Sequence, residues 1–120
     1  MANILIADDS ASETALISRV VTDLGHRSFT ATNGQECLDQ ANRLKPDLIL
    51  LDVVMPTLDG FNTCRKLRKN PETAGIPVVM VTSKNGDSDR FWAERQGANG
   101  YVTKPFDASH LGATIQHFVG

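Results

Sequence analysis

The sequence is poor in cysteine, in net charge and in long apolar runs. It has two cysteines, at positions 37 and 64, with no CxxC pair and no Cys/His cluster. This composition predicts two reduced thiols rather than a disulfide framework or a zinc site. The net charge of −2 provides no broad basic field for nucleic acid, and there is no acidic tail.

The sequence also has no recognisable leader peptide or membrane span. The first apolar stretch is short and runs into Asp8 and Asp9, which is atypical of a signal peptide. No apolar run reaches the length of a membrane span. We therefore expect a cytoplasmic protein without membrane insertion. Its 120 residues, 41% of them hydrophobic, suffice for one soluble domain with a core.

Short apolar segments alternate with amphipathic ones along the whole chain. The apolar segments predict strands at Asn3–Ala7, Arg27–Ala31, Asp47–Leu51, Pro77–Val81 and Gly100–Val102. The amphipathic segments predict helices at Ser12–Leu24, Gly34–Leu44, Phe61–Lys69, Asp87–Gln96 and Asp107–Val119. Strands that alternate with helices indicate an α/β fold with one doubly wound, five-stranded parallel sheet. The expected strand order is 2-1-3-4-5, with the five helices on both faces.

Several local features carry predictions of their own. Ser12 is the expected N-cap of the first helix, and Asp59 is expected to be a turn or helix-cap acid rather than a ligand. Phe91 and Trp92 are adjacent on a predicted helix and cannot share one face. At least one of them should therefore lie near the surface, while the other is expected to pack in the core.

Carboxylates follow two of the predicted strands. Strand 1 ends at Asp8 and Asp9, and strand 3 ends at Asp52. Parallel strands end at one edge of the sheet, and ligands bind there between strands 1 and 3. Strand 4 brings Thr82 to the same edge, and strand 5 brings Lys104.

The expected cluster combines three negative charges with one positive charge. A divalent cation would balance it, and an all-oxygen ligand set favours Mg²⁺ over zinc. A carboxylate that lies beside Mg²⁺, a lysine and a threonine can take part in phosphoryl transfer. Because Asp52 is central among these groups, it is the best candidate for the nucleophile.

The chain closely resembles the receiver domain of two-component response regulators over residues 1–120. The resemblance is carried by Asp8-Asp9, Asp52, Met55-Pro56, Asp59-Gly60, Thr82 and Lys104-Pro105. It implies the CheY-like variety of the flavodoxin-like fold and a cis bond between Lys104 and Pro105. It also implies that the protein is a signalling switch rather than a turnover enzyme, with Asp52 accepting a phosphoryl group from a histidine kinase.

The resemblance implies roles for the other site residues. Asp9, Asp52 and the backbone carbonyl of Val54 look like direct Mg²⁺ ligands, and Asp8 looks like the holder of a metal-bound water. Lys104 looks like the cation that binds the phosphoryl group. Two residues look like parts of a switch: the hydroxyl of Thr82, and the aromatic ring of Tyr101, which would change rotamer with it.

The sequence ends after the predicted fifth helix, and we expect no output domain, so the chain resembles stand-alone receivers that act by docking. The stretch Asp89–Ala98 looks most like regulators of twitching motility and phototaxis. A monomer is expected, with a target protein on the face formed by helix 4, strand 5 and helix 5. A phosphate sink for a shared kinase and a docking module independent of phosphorylation remain alternatives.

Two other classes are disfavoured by the residues themselves. A haloacid dehalogenase-type phosphatase needs a second acid two residues after its nucleophile, but Val54 follows Asp52 at that spacing and Ser10 follows Asp8. A flavodoxin-like cofactor carrier needs a phosphate-binding loop rich in Ser, Thr and Gly after strand 1. The carboxylates of Asp8 and Asp9 would repel a phosphate there unless a metal intervened.

Overall fold

The computed structural model describes residues 1–120 as five strands and five helices in strict alternation. The strands are β1 (Asn3–Ala7), β2 (Arg27–Ala31), β3 (Leu48–Leu51), β4 (Val78–Thr82) and β5 (Gly100–Thr103). The helices are α1 (Ala11–Asp23), α2 (Gly34–Leu44), α3 (Gly60–Lys69), α4 (Asp87–Arg95) and α5 (Ala108–Val119). All neighbouring strands pair in parallel, in the order β2-β1-β3-β4-β5. The predicted fold and strand order are confirmed.

The sheet is buried on both faces, and this explains its nearly continuous apolar strands. Alternate side chains of each strand point to opposite faces. One face packs against α1 and α5, through residues such as Ile17, Val21, Leu111 and Ile115. The other face packs against α2, α3 and α4, through residues such as Cys37, Cys64, Leu67 and Ala93. None of the helices combines the length and the apolar character that a membrane crossing requires.

The two cysteines lie in the core between the sheet and its helices. Both are free and buried. Burial raises the pKa of Cys37 to about 12 and that of Cys64 to about 11. Because both thiols stay protonated at neutral pH, neither is a candidate nucleophile.

Two local predictions were wrong. The N-cap of α1 is Ser10, whose hydroxyl accepts the Glu13 N–H, and not Ser12. Phe91 and Trp92 are both exposed, at 58% and 54%, because α4 buries only Ala93 against the sheet. The expected surface position of at least one of them is confirmed, and the expected core packing of the other is wrong. The large buried apolar groups on this side of the sheet come mainly from the strands, such as Leu5, Ile49 and Met80, so neither aromatic ring is needed in the core.

Asp59 has the expected role of a helix cap. Its carboxylate accepts the Asn62 N–H at 2.8 Å and so satisfies one free donor at the start of α3. The next residue, Gly60, lies against the backbone of Asp52 and Val53, and its N–H donates to the Val53 carbonyl at 2.7 Å. The start of α3 is therefore fixed directly to the end of β3.

Candidate functional site

The site lies at the carboxyl edge of the sheet, where the central strands end. The Asp52 N–H donates to the Ala7 carbonyl at 2.9 Å, which places Asp52 beside the residue that precedes Asp8. Asp8, Asp9 and Asp52 each offer a carboxylate oxygen, and these oxygens lie within 4.8 Å of one another. The structure therefore brings together the three acids that the sequence predicted would meet.

Lys104 is the positive centre of the cluster. Its Nζ donates to Asp8 Oδ2 at 2.6 Å and to Asp52 Oδ2 at 3.1 Å. Burial alone would lower the pKa of Lys104, but the hydrogen bond to Asp8 and the charge of Asp52 outweigh it. The pKa of Lys104 is therefore raised, and the side chain is a permanent cation at neutral pH. The peptide bond from Lys104 to Pro105 is cis, as the resemblance implied.

The second oxygens of the two buried acids are held by backbone groups. Asp8 is only 2% exposed, and its Oδ1 accepts the Ser10 N–H at 2.9 Å. Asp52 Oδ1 accepts the Val54 N–H at 3.3 Å. Both carboxylates are thus fixed in orientation before any ligand binds.

Asp9 and Val54 differ from these two acids in being open to solvent. The Asp9 side chain is exposed, and no ion pair engages it. Val54 is exposed as well, and its carbonyl accepts no backbone hydrogen bond. Both can therefore offer oxygen atoms to a cation without breaking a contact in the protein.

The donor set at this edge fits a magnesium ion. It consists of carboxylate and carbonyl oxygens, with no histidine or cysteine among them. Hard oxygen donors of this kind suit Mg²⁺, which keeps part of its water shell and needs few protein ligands. The single ammonium of Lys104 leaves the three carboxylates with an excess of two negative charges.

Thr82 ends β4 beside the cluster. It is fully buried, its carbonyl accepts the Lys104 N–H at 2.8 Å, and its hydroxyl accepts the Lys84 N–H at 3.3 Å. The hydroxyl is thus held through a hydrogen bond to the loop that follows β4. A movement of the Thr82 side chain would therefore alter its hydrogen bond to the Lys84 backbone N–H.

Tyr101 on β5 is tied to the same loop. Its hydroxyl donates a hydrogen bond to the Lys84 carbonyl, and the guanidinium of Arg90 lies 4.8 Å from the centre of its ring. Burial and the charge of Asp89 raise the pKa of Tyr101, so the phenol stays neutral and keeps its proton for this bond. The sequence did not predict the contact from Arg90, because it depends on how α4 packs beside β5.

The loop after Asp52 contains a strained residue. Thr57 has a φ of 71°, and the Leu58 N–H donates to the Pro56 carbonyl at 2.8 Å, so Thr57 occupies the centre of a three-residue turn. A positive φ is unfavourable for a β-branched residue because its side chain crowds the backbone. Strain is therefore held in the loop that follows Asp52.

We expect Thr57→Gly to raise the free energy of unfolding by about 1 kcal/mol. Relief of strain at positive φ outweighs the greater chain entropy of glycine in the unfolded state. Thr57→Ala is the control, since it keeps the Cβ atom and should give little gain. Urea unfolding measures both variants, and equal stability of the Gly and Ala variants would contradict a strained turn.

Comparison with known proteins identifies relatives of this chain. The family model for the response regulator receiver domain matches residues 4–116. Protein PilH of Pseudomonas aeruginosa is 44% identical over 115 residues, which cover 96% of this chain and 95% of PilH. Response regulator PleD of Caulobacter vibrioides is 41% identical over 96% of this chain, but the match covers only 25% of PleD.

Solved structures agree with the sequence comparisons. Chemotaxis protein CheY4 of Vibrio cholerae superposes with a TM-score of 0.92 at 31% identity, covering 98% of each chain. The receiver domain of a sensor histidine kinase from Pseudomonas aeruginosa has a TM-score of 0.92 at 28% identity, covering 99% of this chain and 98% of that one. That second structure has a magnesium ion coordinated in its active-site cleft.

Proposed function

The chain belongs to the response regulator receiver domain family, and on that premise we propose that it is a phosphorylation-dependent switch with Asp52 as the phosphoryl acceptor. Members of this family are signalling switches rather than conventional enzymes. The observation that carries the proposal is the position of Asp52. Its carboxylate lies among two further acids and is bound by Lys104 at the edge of the sheet.

The proposed reaction moves a phosphoryl group from a histidine kinase to Asp52. The N–P bond of the phosphorylated histidine breaks as a carboxylate oxygen of Asp52 forms the new O–P bond. The products are an acyl phosphate on Asp52 and a free histidine side chain on the kinase. Water later cleaves the O–P bond, which restores the Asp52 carboxylate and releases inorganic phosphate.

The residues around Asp52 would have different roles in this transfer. Lys104 would place its ammonium against the phosphoryl oxygens and neutralise the charge that develops on them. The Thr82 hydroxyl would donate to one of those oxygens. When bound, Mg²⁺ would supply further neutralising charge. Its proposed direct ligands are Asp9, Asp52 and the Val54 carbonyl, with Asp8 acting through a water.

The change at Asp52 would reach the surface through hydrogen bonds already present. Thr82 contacts Lys84 through its hydroxyl, and Lys84 accepts the hydrogen bond of Tyr101. Movement of Thr82 toward a phosphoryl group would release the Lys84 N–H and shift the loop that holds Tyr101. The switch would thereby select between two arrangements of α4, β5 and α5, where we propose that a target protein docks.

The pathway is proposed to be one of motility or taxis. The similarity to chemotaxis protein CheY4 and to protein PilH supports this assignment. The compartment is proposed to be the cytoplasm, and the free, buried thiols are consistent with a reducing environment. A target whose binding is unchanged by phosphorylation would instead favour a constitutive docking module, and a protein that only drains a kinase would be a phosphate sink.

We expect wild-type protein incubated with Mg²⁺ and acetyl phosphate to gain the mass of one phosphoryl group. Asp52→Asn should gain none, because the amide is a poor nucleophile. Asp59→Asn is the matched control, since Asp59 caps a helix nearby and should leave phosphorylation intact. Intact-mass spectrometry measures the mass gained by each of the three proteins. Equal gain by wild type and Asp52→Asn would overturn the assignment of Asp52.

A further inference from the structure

A groove lies between α3 and α4, on the opposite side of α4 from β5. It has a volume of about 340 Å³ and is lined by Asp59, Phe61, Asn62, Arg65, Trp92 and Gln96. The side of α4 that faces β5 presents different residues, including Arg90 and Glu94. The α3–α4 groove is therefore separate from the docking face proposed for the switch.

The groove offers an apolar anchor point. Trp92 is the only tryptophan of the chain, and its side chain is 54% exposed at the groove. Phe61, the half-buried aromatic residue of α3, lines the same groove. Exposed tryptophans beside a concave surface are typical of the residues that dominate protein interfaces.

The α3 side of the groove is basic. Arg65 lines the groove, and Lys69 lies four residues later on the same helical face. Both side chains are exposed, and neither takes part in an ion pair. The acid within the groove, Asp59, is engaged by Asn62 through both its backbone and its side-chain amide. The positive charge along α3 is therefore available to a partner.

We propose that the α3–α4 groove docks an acidic protein segment that carries one aromatic or leucine anchor. The anchor packs between Trp92 and Phe61, and the acidic side chains of the segment pair with Arg65 and Lys69. Charge complementarity sets the sign of the partner, since α3 contains no acidic residue and three of its four basic residues, Arg65, Lys66 and Lys69, are exposed. The surface lies outside the acceptor site, so docking needs no phosphoryl group on Asp52.

A random peptide library displayed on phage tests this proposal. It is selected in parallel on unphosphorylated wild type, on the double variant Arg65→Glu/Lys69→Glu, and on the control Arg27→Glu/Arg43→Glu. The control makes the same change in net charge on β2 and α2, at residues that are also exposed. Circular dichroism verifies that all three proteins are folded before selection.

We expect wild type and the control to enrich peptides rich in Asp and Glu with one aromatic or leucine residue. A synthetic copy of the leading peptide should change the fluorescence of Trp92. Its affinity, measured by anisotropy of a labelled peptide, should fall about tenfold or more in Arg65→Glu/Lys69→Glu and less than about twofold in the control. Affinity should also fall with added salt, because the pairs are at the surface.

Three outcomes would overturn the proposal. The enriched peptides could be basic or uncharged, the double variant could enrich the same peptides as wild type, or wild type could enrich nothing beyond the double variant. The same titration on Asp52→Asn separates this result from the switch. Docking at the groove should survive that substitution, whereas phosphorylation should not.

Discussion

Replacing Lys104 with methionine is expected to strengthen magnesium binding while it slows phosphoryl transfer. Lys104 contacts both Asp8 and Asp52, so its positive charge competes with a cation for the same carboxylates. Removing the charge should lower the dissociation constant for Mg²⁺ about tenfold, the effect of roughly 1.4 kcal/mol. Loss of the ammonium should slow transfer from acetyl phosphate about 10²- to 10³-fold, because developing charge loses its partner.

Calorimetric titration with Mg²⁺ and a time course of phosphorylation at saturating Mg²⁺ measure the two effects separately. Lys66→Met is the matched control, since it removes the same charge from an exposed position on α3. The dissociation constant for Mg²⁺ and the rate of phosphorylation should both be nearly unchanged in Lys66→Met. If Lys104→Met binds Mg²⁺ no more tightly and is phosphorylated at the wild-type rate, Lys104 does not have the two roles assigned to it.

Gly60→Ala is expected to damage both the fold and the site. A Cβ atom at this position would collide with the backbone carbonyl of Asp52 and the Cα atom of Val53. These are backbone atoms at the end of β3, so a side-chain rotation cannot relieve the contact. We expect the free energy of unfolding to fall by about 3 kcal/mol as α3 is displaced. Phosphorylation should slow by about tenfold or more, because Asp52 moves with its backbone.

Gly75→Ala is the control for this substitution. No atom lies within 4 Å of a Cβ built at Gly75, and its backbone is not in the left-handed region. That variant should be as stable as wild type or slightly more stable. Urea unfolding and acetyl phosphate kinetics measure both variants. A stable, fully active Gly60→Ala protein would show that the start of α3 is not fixed to Asp52 as described.

Most of the fold was predictable from the sequence because the sheet is covered on both faces. Apolar runs such as Leu48–Leu51 are typical of buried strands, and the helices between them favour parallel crossovers. The strand order then placed Asp8, Asp9 and Asp52 at one edge, since parallel strands end together. The boundaries shifted by about one residue, as at Thr82, which belongs to β4.

The remaining errors concern the N-cap of α1 and the packing of α4, which the sequence pattern alone does not determine. Ser10 and Ser12 are both suitable N-caps for α1. Ser10 takes this role because Asp8 accepts its backbone N–H, which fixes the position of Ser10. One of Phe91 and Trp92 was expected to pack in the core, but both are exposed. Their exposure follows from a helix that buries little more than Ala93.

Arg68 shows what sequence patterns do not reveal. Its guanidinium donates to the carbonyls of Gly97 and Ile76 at 2.7–3.0 Å and to Asn99 Oδ1 at 2.8 Å. It therefore holds α3 to the loops that precede β4 and β5. On α3 this residue looks like any solvated base, because its partners are backbone groups of distant loops. The α3–α4 groove escaped prediction because it depends on how these two helices pack beside each other.

Reductive trapping of the acyl phosphate identifies the aspartate that accepts the phosphoryl group. After incubation with Mg²⁺ and acetyl phosphate, borohydride converts a phosphorylated aspartate to homoserine, and peptide mass mapping locates the converted residue. We expect homoserine at position 52 and unmodified aspartate at positions 8 and 9. Conversion at another aspartate, or no conversion while wild type remains folded, would contradict Asp52 as the phosphoryl acceptor.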